Sequence, residues 1–167
     1  MKSFRSLTRA AAAAALAWGL APAMAQGVIK IGEINSYKAQ PAFLDPYKKG
    51  WELAVEEVNA AGGVLGRPLL AIIEDNQSKP GESVTAVRKL ISRDKVIAIL
   101  GEASSGRSLE AAPICQQARI PMISGGSNPK VTMGGYKSVF RLVAGDNLIG
   151  TSMAQYAFNT MKAKTVG

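Results

Sequence analysis

Two short turns hold the residue types that could do chemistry. Gly101-Glu102-Ala103-Ser104-Ser105-Gly106 follows the apolar run Val96-Ile97-Ala98-Ile99-Leu100, and Ser124-Gly125-Gly126-Ser127-Asn128-Pro129 follows Pro121-Met122-Ile123. Each turn combines hydroxyls with glycines, and glycine lets a backbone approach a ligand closely. At the start of a helix, the amides of Ser104, Ser105 and Gly106 lack intrahelical partners and, with the helix dipole, favour an anion. The hydroxyls of Ser104 and Ser105 are further donors. Gly125, Gly126 and Ser127 offer a carbonyl acceptor, another amide and another hydroxyl. Donors for a carboxylate beside an acceptor for an ammonium suit an α-amino acid. Any one of these serines is more simply a helix cap. Two such turns at the carboxyl ends of successive buried strands favour a binding site.

Competing chemistries fit less well. Gly101 to Ser108 reads G-x-x-x-x-G-R-S, one residue from the P-loop pattern, but Arg107 stands where a compact lysine is needed. The first strand runs into Gly32-Glu33-Ile34-Asn35 without the dinucleotide glycine fingerprint. Ser104-Ser105 is not G-x-S-x-G, and the sequence has no histidine, which removes His-based triads and almost all catalytic zinc sites. Glu33, Glu74 and Asp75 are carboxylates near strand ends. Their spacing follows no ligand pattern, so solvated or capping roles are expected for them. Glu102, at the strand mouth, is expected to face the ligand or a neighbouring basic residue. The residues thus point to binding, with no catalytic group, metal or cofactor.

The elements that must position these turns follow from periodicity. Ile29-Lys30-Ile31-Gly32 opens a first strand. Residues 34–46 read as a loop, with Tyr37 and Phe43 as candidates for ligand contact and Tyr47 as a cover for the core. From Pro46 a helix places Trp51, Ala54, Val55 and Val58 on one face, and Gly62-Gly63 ends it. Leu69 to Ile73 is a second strand, running to Glu74-Asp75-Asn76. Ser78 is expected to cap the next helix with Pro80 in its first turn. Val84, Val87 and Ile91 form the buried stripe of that helix, with Leu90 beside it. After the two turns, Val139 to Val143 reads as a strand, and Asp146-Asn147 starts a helix with Met153, Tyr156, Ala157 and Met161 apolar along it. Strands alternating with amphipathic helices give right-handed βαβ units. The expected fold is α/β, a Rossmann-like doubly wound parallel sheet with flanking helices.

The ends and the charge set further bounds. Lys2, Arg5 and Arg9, the apolar run Ala10 to Leu20 and the small-x-small Ala23-Met24-Ala25 together read as a signal peptide, residues 1–25, cleaved after Ala25. Export to the periplasm follows. Removing that segment takes the formal charge from +8 to +5, and no Lys/Arg cluster with interleaved aromatics supports nucleic-acid binding. Cys115 is the only cysteine, and its apolar neighbours predict a buried thiol. Lys162 to Gly167 reads as a helix end entering a new strand, so the chain is expected to be a fragment.

The residues also resemble a known family. Ile29-Lys30-Ile31-Gly32, the run Gly50-Trp51-Glu52-Leu53-Ala54-Val55-Glu56-Glu57-Val58-Asn59-Ala60-Ala61-Gly62-Gly63, and Gly66-Arg67-Pro68 are similar to the branched-chain amino acid binding proteins. Ile99-Leu100-Gly101 through Gly106, and Ile120 to Ser124, match at the same spacing. These are periplasmic substrate-binding subunits of ABC importers, with the type I fold of two Rossmann-like lobes. The resemblance implies that residues 26–143 are the first ligand-binding lobe and 144–167 the truncated start of the second. It implies ligand-carboxylate contacts at Ser104, Ser105 and Ser127, the ammonium on the carbonyl of Gly125, and Phe43 or Tyr37 covering the ligand. It also implies a membrane permease as partner. Two departures widen the ligand class. Asn35 to Phe43 lacks the small Ser-Gly-Pro wording of amino acid binders, and Ser124-Gly125-Gly126 replaces an alanine-bearing turn. Relatives on this scaffold bind aromatic carboxylates, amides and urea, or serve as sensory domains.

Overall fold

The structure, a computed structural model, describes residues 27–79 and 81–165. Residues 1–25, the segment expected to be a signal peptide, and Pro80 lie outside the described residues. Five parallel strands form one sheet in the order β2-β1-β3-β4-β5, with β1 Ile29–Asn35, β2 Leu69–Asp75, β3 Ile99–Leu100, β4 Met122–Ser124 and β5 Val139–Arg141. The helices are α1 Pro41–Ala60, α2 Glu82–Lys89, α3 Ser105–Ala118, the short α4 Lys130–Met133 and α5 Asp146–Gln155. A wider turn, Leu90–Asp94, extends α2. The chain order reverses direction across the sheet between β1 and β3, so their carboxyl ends bound the crevice where ligands of open α/β sheets bind.

Alternation along β1 sorts its side chains between two faces. Gly32 and Ile34 face α2: a Cβ on Gly32 would stand 2.9 Å from a Leu90 methyl. Ile34, Val87, Leu90, Ile99 and Met122 are fully buried there and form the core with Ala111 and Cys115. Leu90 is therefore central to the helix stripe rather than beside it, with Val84 and Ile91 half-buried at its margin. Burial pushes the Cys115 thiol up to about 12. Native protein should therefore leave Cys115 unmodified by a thiol reagent at neutral pH, because the thiolate is the reactive form; rapid stoichiometric modification without denaturant would contradict this placement.

Three sequence expectations change. The segment before Pro46 is not a loop to its end, because α1 begins at Pro41 and carries Pro46 inside. A proline at the first helical position costs nothing, since its missing N–H would be unpaired there anyway. Ser78 does not cap α2; Gly81 occupies that position at φ 78°, while the Ser78 amide donates to Asn76 Oδ1 over 3.0 Å. Finally, α1 buries little, with Trp51 and Val55 half-covered, Ala54 and Val58 exposed and Leu44 alone fully buried. Among the described residues no helix is long and apolar enough to cross a membrane.

Candidate ligand-binding site

The two turns identified in the sequence meet at the carboxyl edge of β3 and β4. The backbone carbonyl of Glu102 ties them together. It accepts from the Gly125 amide at 3.2 Å, the Ser108 hydroxyl at 3.0 Å and the Ser124 hydroxyl at 3.2 Å. The hydroxyl oxygens of Ser108 and Ser124, both fully buried, stand 2.7 Å apart. Across the gap, the Asn128 amide donates to Ser105 Oγ over 3.0 Å. A Cβ on Gly126 would lie 3.0 Å from the Ser105 Cα, so this position needs glycine for the turns to close. Such polar groups, removed from water, are stable only because each finds a partner.

Which groups remain for a ligand is then a matter of accounting. The Ser104 amide, expected to be a free donor, is not one: it donates to Glu102 Oε1 over 3.0 Å. The Gly126 amide is likewise engaged, by Ser124 Oγ at 2.9 Å. The Ser127 carbonyl accepts from the Asp146 amide at 3.0 Å and from Arg141 at 2.9 Å. Among the described residues, the amides of Ser105, Gly106 and Ser127, the hydroxyls of Ser104 and Ser127 and the carbonyl of Gly125 make no hydrogen bond. That leaves several donors and carbonyl acceptors, Gly125 among them, at the mouth of the sheet, beside the N-terminus of the fourteen-residue helix α3. Arg107, which broke the P-loop pattern, pairs with Glu110 at 2.8 Å on the helix itself.

The aromatic candidates separate. Phe43 lies in the first turn of α1 and is 66% exposed. Tyr37 is half-buried and accepts a hydrogen bond of 3.1 Å from the Trp51 indole. Burial holds its phenol well above the usual range. Tyr47, expected to cover the core, is partly exposed and stands outside the core cluster.

The carboxylates depart furthest from expectation. Glu33 and Glu102 are 0% and 1% exposed; neither is solvated, and Glu102 faces neither solvent nor a basic residue. Asn35 donates to Glu33 Oε1 over 2.9 Å, and Asn76 and Ser36 donate to Glu102 Oε2. Ser36 also donates to Asn76 Oδ1 over 2.6 Å. Asn76 was named in the sequence only as the end of a strand, although Asn at a strand end, flanked by a turn, is a recurrent bridging residue. Glu74 pairs with Lys89 at the surface, and Asp75 caps the turn by accepting from Gln77 at 2.9 Å. Among the described residues no three metal-ligating side chains cluster.

Desolvation pushes the Glu33 carboxyl from 4.5 up to about 7, with the neighbouring Glu102 adding to it and the side chains of Asn35, Tyr37 and Lys48 opposing it. Glu102 is also raised by burial, with the Ser104 amide and Asn76 opposing. A folded-state pKa raised above the unfolded one means that the native state holds the extra proton. The stability that Glu33 contributes is therefore full below about pH 4.5 and is lost as pH rises through about 7. Denaturant melts should show a loss of about 2–3 kcal/mol across that window, and Glu33→Gln should abolish most of it. A wild-type stability independent of pH in that range would contradict the burial of an ionisable Glu33.

Comparison with known proteins identifies this architecture. Residues 28–167 match the family model described as periplasmic binding protein. The chain belongs to this family. Within it, the chain is 31% identical over 169 residues to a leucine-, isoleucine-, valine-, threonine- and alanine-binding protein of Pseudomonas aeruginosa, covering 99% of this chain and 44% of the relative. An amino acid binding protein of the same organism is 33% identical over 77% of this chain and 34% of its own length. Among solved structures, the branched-chain amino acid transporter substrate-binding protein LivJ of Streptococcus pneumoniae, in complex with isoleucine, superimposes with a TM-score of 0.77 at 30% identity. That match covers 82% of this chain and 40% of the other. The leucine-binding protein LivK of Thermotoga maritima gives a TM-score of 0.72 at 32% identity. The chain thus spans less than half the length of these relatives, and its fold is that of a type I periplasmic binding lobe.

Proposed function

We propose that this chain forms the first lobe of a solute-binding subunit that captures a small carboxylate ligand, a branched-chain or related amino acid, in the periplasm and delivers it to the permease of an ABC importer. In this reading residues 26–143 build the first lobe and 144–167 begin the second, after cleavage of residues 1–25. The observation that carries the reading is the unengaged set at the sheet mouth, where the Ser105 and Gly106 amides and the Ser127 hydroxyl share the two turns with the open carbonyl of Gly125. A helix N-terminus and hydroxyls hold a carboxylate, and the carbonyl accepts from an ammonium. Tyr37, or Phe43 after a rotamer change, closes over the apolar side chain of the ligand. Closure of two lobes about the bound molecule is the usual motion of such binders.

The whole protein should bind leucine, isoleucine or valine saturably, with a Kd of about a micromolar or tighter. Equilibrium dialysis against each labelled amino acid tests this. Absence of binding by any amino acid, from protein stripped of ligand by unfolding and refolding, would refute the capture reading.

A further inference from the structure

Beneath the Ser104–Ser105 turn lie two buried carboxylates that the ligand contacts do not use. They are nevertheless wired to it. Glu102 Oε1 accepts the Ser104 amide at 3.0 Å, and the preceding amide, Ala103, donates to Asn35 Oδ1 at 3.0 Å. Asn35 in turn donates to Glu33 Oε1 over 2.9 Å. Two consecutive amides of the turn thus hang on one carboxylate each, one directly and one through an asparagine. The second oxygen of Glu33 is buried and has no hydrogen-bond partner among the described residues. An oxygen in that position is unfavourable as part of an anion and acceptable as part of a neutral acid.

We propose that Glu33 and Glu102 are positioning residues of the ligand site, and that Glu33 must carry a proton for the Ala103–Ser104 turn to hold its binding geometry, so that capture of the ligand carboxylate is coupled to that proton. The proposal rests on the reading that this turn receives the ligand carboxylate.

The groups facing Glu33 set the sign of the coupling. They are Asn35 on its own strand, Tyr37 on the following turn, Tyr47 and Lys48 on α1, and Glu102 after β3. Lys48 is the one cation among them, and it also pairs with Glu52 at the surface, at 3.6 Å. With Glu33 neutral, a single negative charge rests on Glu102, surrounded by the Ser104, Asn76 and Ser36 donors. Ionising Glu33 places a second negative charge in the same buried region, which repels the first and pulls harder on Asn35. Both amides of the turn must respond. The Ser105 and Gly106 amides receive a ligand carboxylate in the geometry that the turn holds while Glu33 is neutral, so the ligand binds more tightly to that form. By linkage, affinity falls as pH rises through the Glu33 transition, near 7.

Two measurements on the whole protein test this. In the ligand-free state, the Ser104 amide resonance should titrate with a midpoint at the Glu33 transition, and Glu33→Gln should remove that response. Isoleucine affinity, followed by calorimetry, should weaken by about threefold to tenfold between about pH 6 and about pH 8. In Glu33→Gln it should stay level, close to the wild-type value at low pH. A Ser104 amide that ignores pH overturns the proposal, and this wild-type titration decides the matter alone if Glu33→Gln does not fold. Isoleucine binding with no pH slope, or with the same slope in Glu33→Gln, also overturns the coupling. Absence of binding by any amino acid, with the amide titration intact, overturns instead the capture reading on which it rests.

Discussion

Removing the hydroxyls of Ser105 and Ser127 together should weaken amino-acid binding by about a hundredfold or more, which corresponds to two charge-assisted hydrogen bonds of about 1.5–3 kcal/mol each. The two serines act from different strands. Ser105 opens α3 and Ser127 sits in the turn after β4, so each contributes a donor that the other cannot replace. Ser127 has the simpler role, since its hydroxyl makes no hydrogen bond among the described residues. Ser105 Oγ also receives the Asn128 amide at 3.0 Å, and its loss frees the second turn as well as removing a donor. Calorimetric titration of the whole protein with leucine, for the single and double variants, checks the effect. A double variant that binds leucine as the wild type does, while melting normally, would remove these turns from the site.

The second large effect concerns backbone shape. Gly101 leaves β3 with φ 89°, and a Cβ there would overlap the carbonyl oxygen of Ile34 and come within 3.3 Å of the Asn35 amide nitrogen. Neither neighbour can retreat, because Ile34 is fully buried in the core and Asn35 bridges Glu33 to the Ala103 amide. Gly101→Ala should cost about 3–5 kcal/mol, combining left-handed strain with a clash against fixed backbone. Gly66 makes a suitable control. Its φ is 75°, but a Cβ there meets nothing within 4 Å, so Gly66→Ala should cost only about 1 kcal/mol. Equal losses in urea melts of the two variants would contradict the close approach at Gly101.

The sheet was legible in the sequence because its strands are apolar runs between turn residues, and each of the five runs became a strand at or near its expected place. The meeting of the two serine turns was legible for the same reason, since successive parallel strands put their exits on one edge. The state of the individual amides was not. That Ser104 N–H is occupied depends on where Glu102 points, and a strand-end carboxylate ordinarily points to water. Glu33 did leave a signal: it falls on the period-two row of Ile29 and Ile31, the face that α1 covers, and a charged residue on an apolar row announces a buried polar role. The start of α1 was misplaced because Pro46 looks like a helix beginning, whereas Pro41 already supplies one and Pro46 is carried within the helix. The aromatic covers could not be ranked, because a residue list does not tell that Trp51 holds Tyr37 while Phe43 stands free.

The doubly loaded carbonyl of Ser127 has a mechanical consequence. By holding both Arg141 and the amide of Asp146, it clamps the ligand-side turn to the end of β5 and to the first turn of α5. Upstream, Leu142 is pinned by its amide to the Ser124 carbonyl at 3.1 Å. Downstream, Gly145 packs so closely that a Cβ would stand 3.0 Å from the Arg141 guanidinium. Between these two stiff joints lie only Val143 and Ala144, both exposed and outside the hydrogen bonds among the described residues. Compliance on this stretch is concentrated in two residues, so any swing of α5 against the sheet must bend the chain there and first release the Asp146 amide from the Ser127 carbonyl.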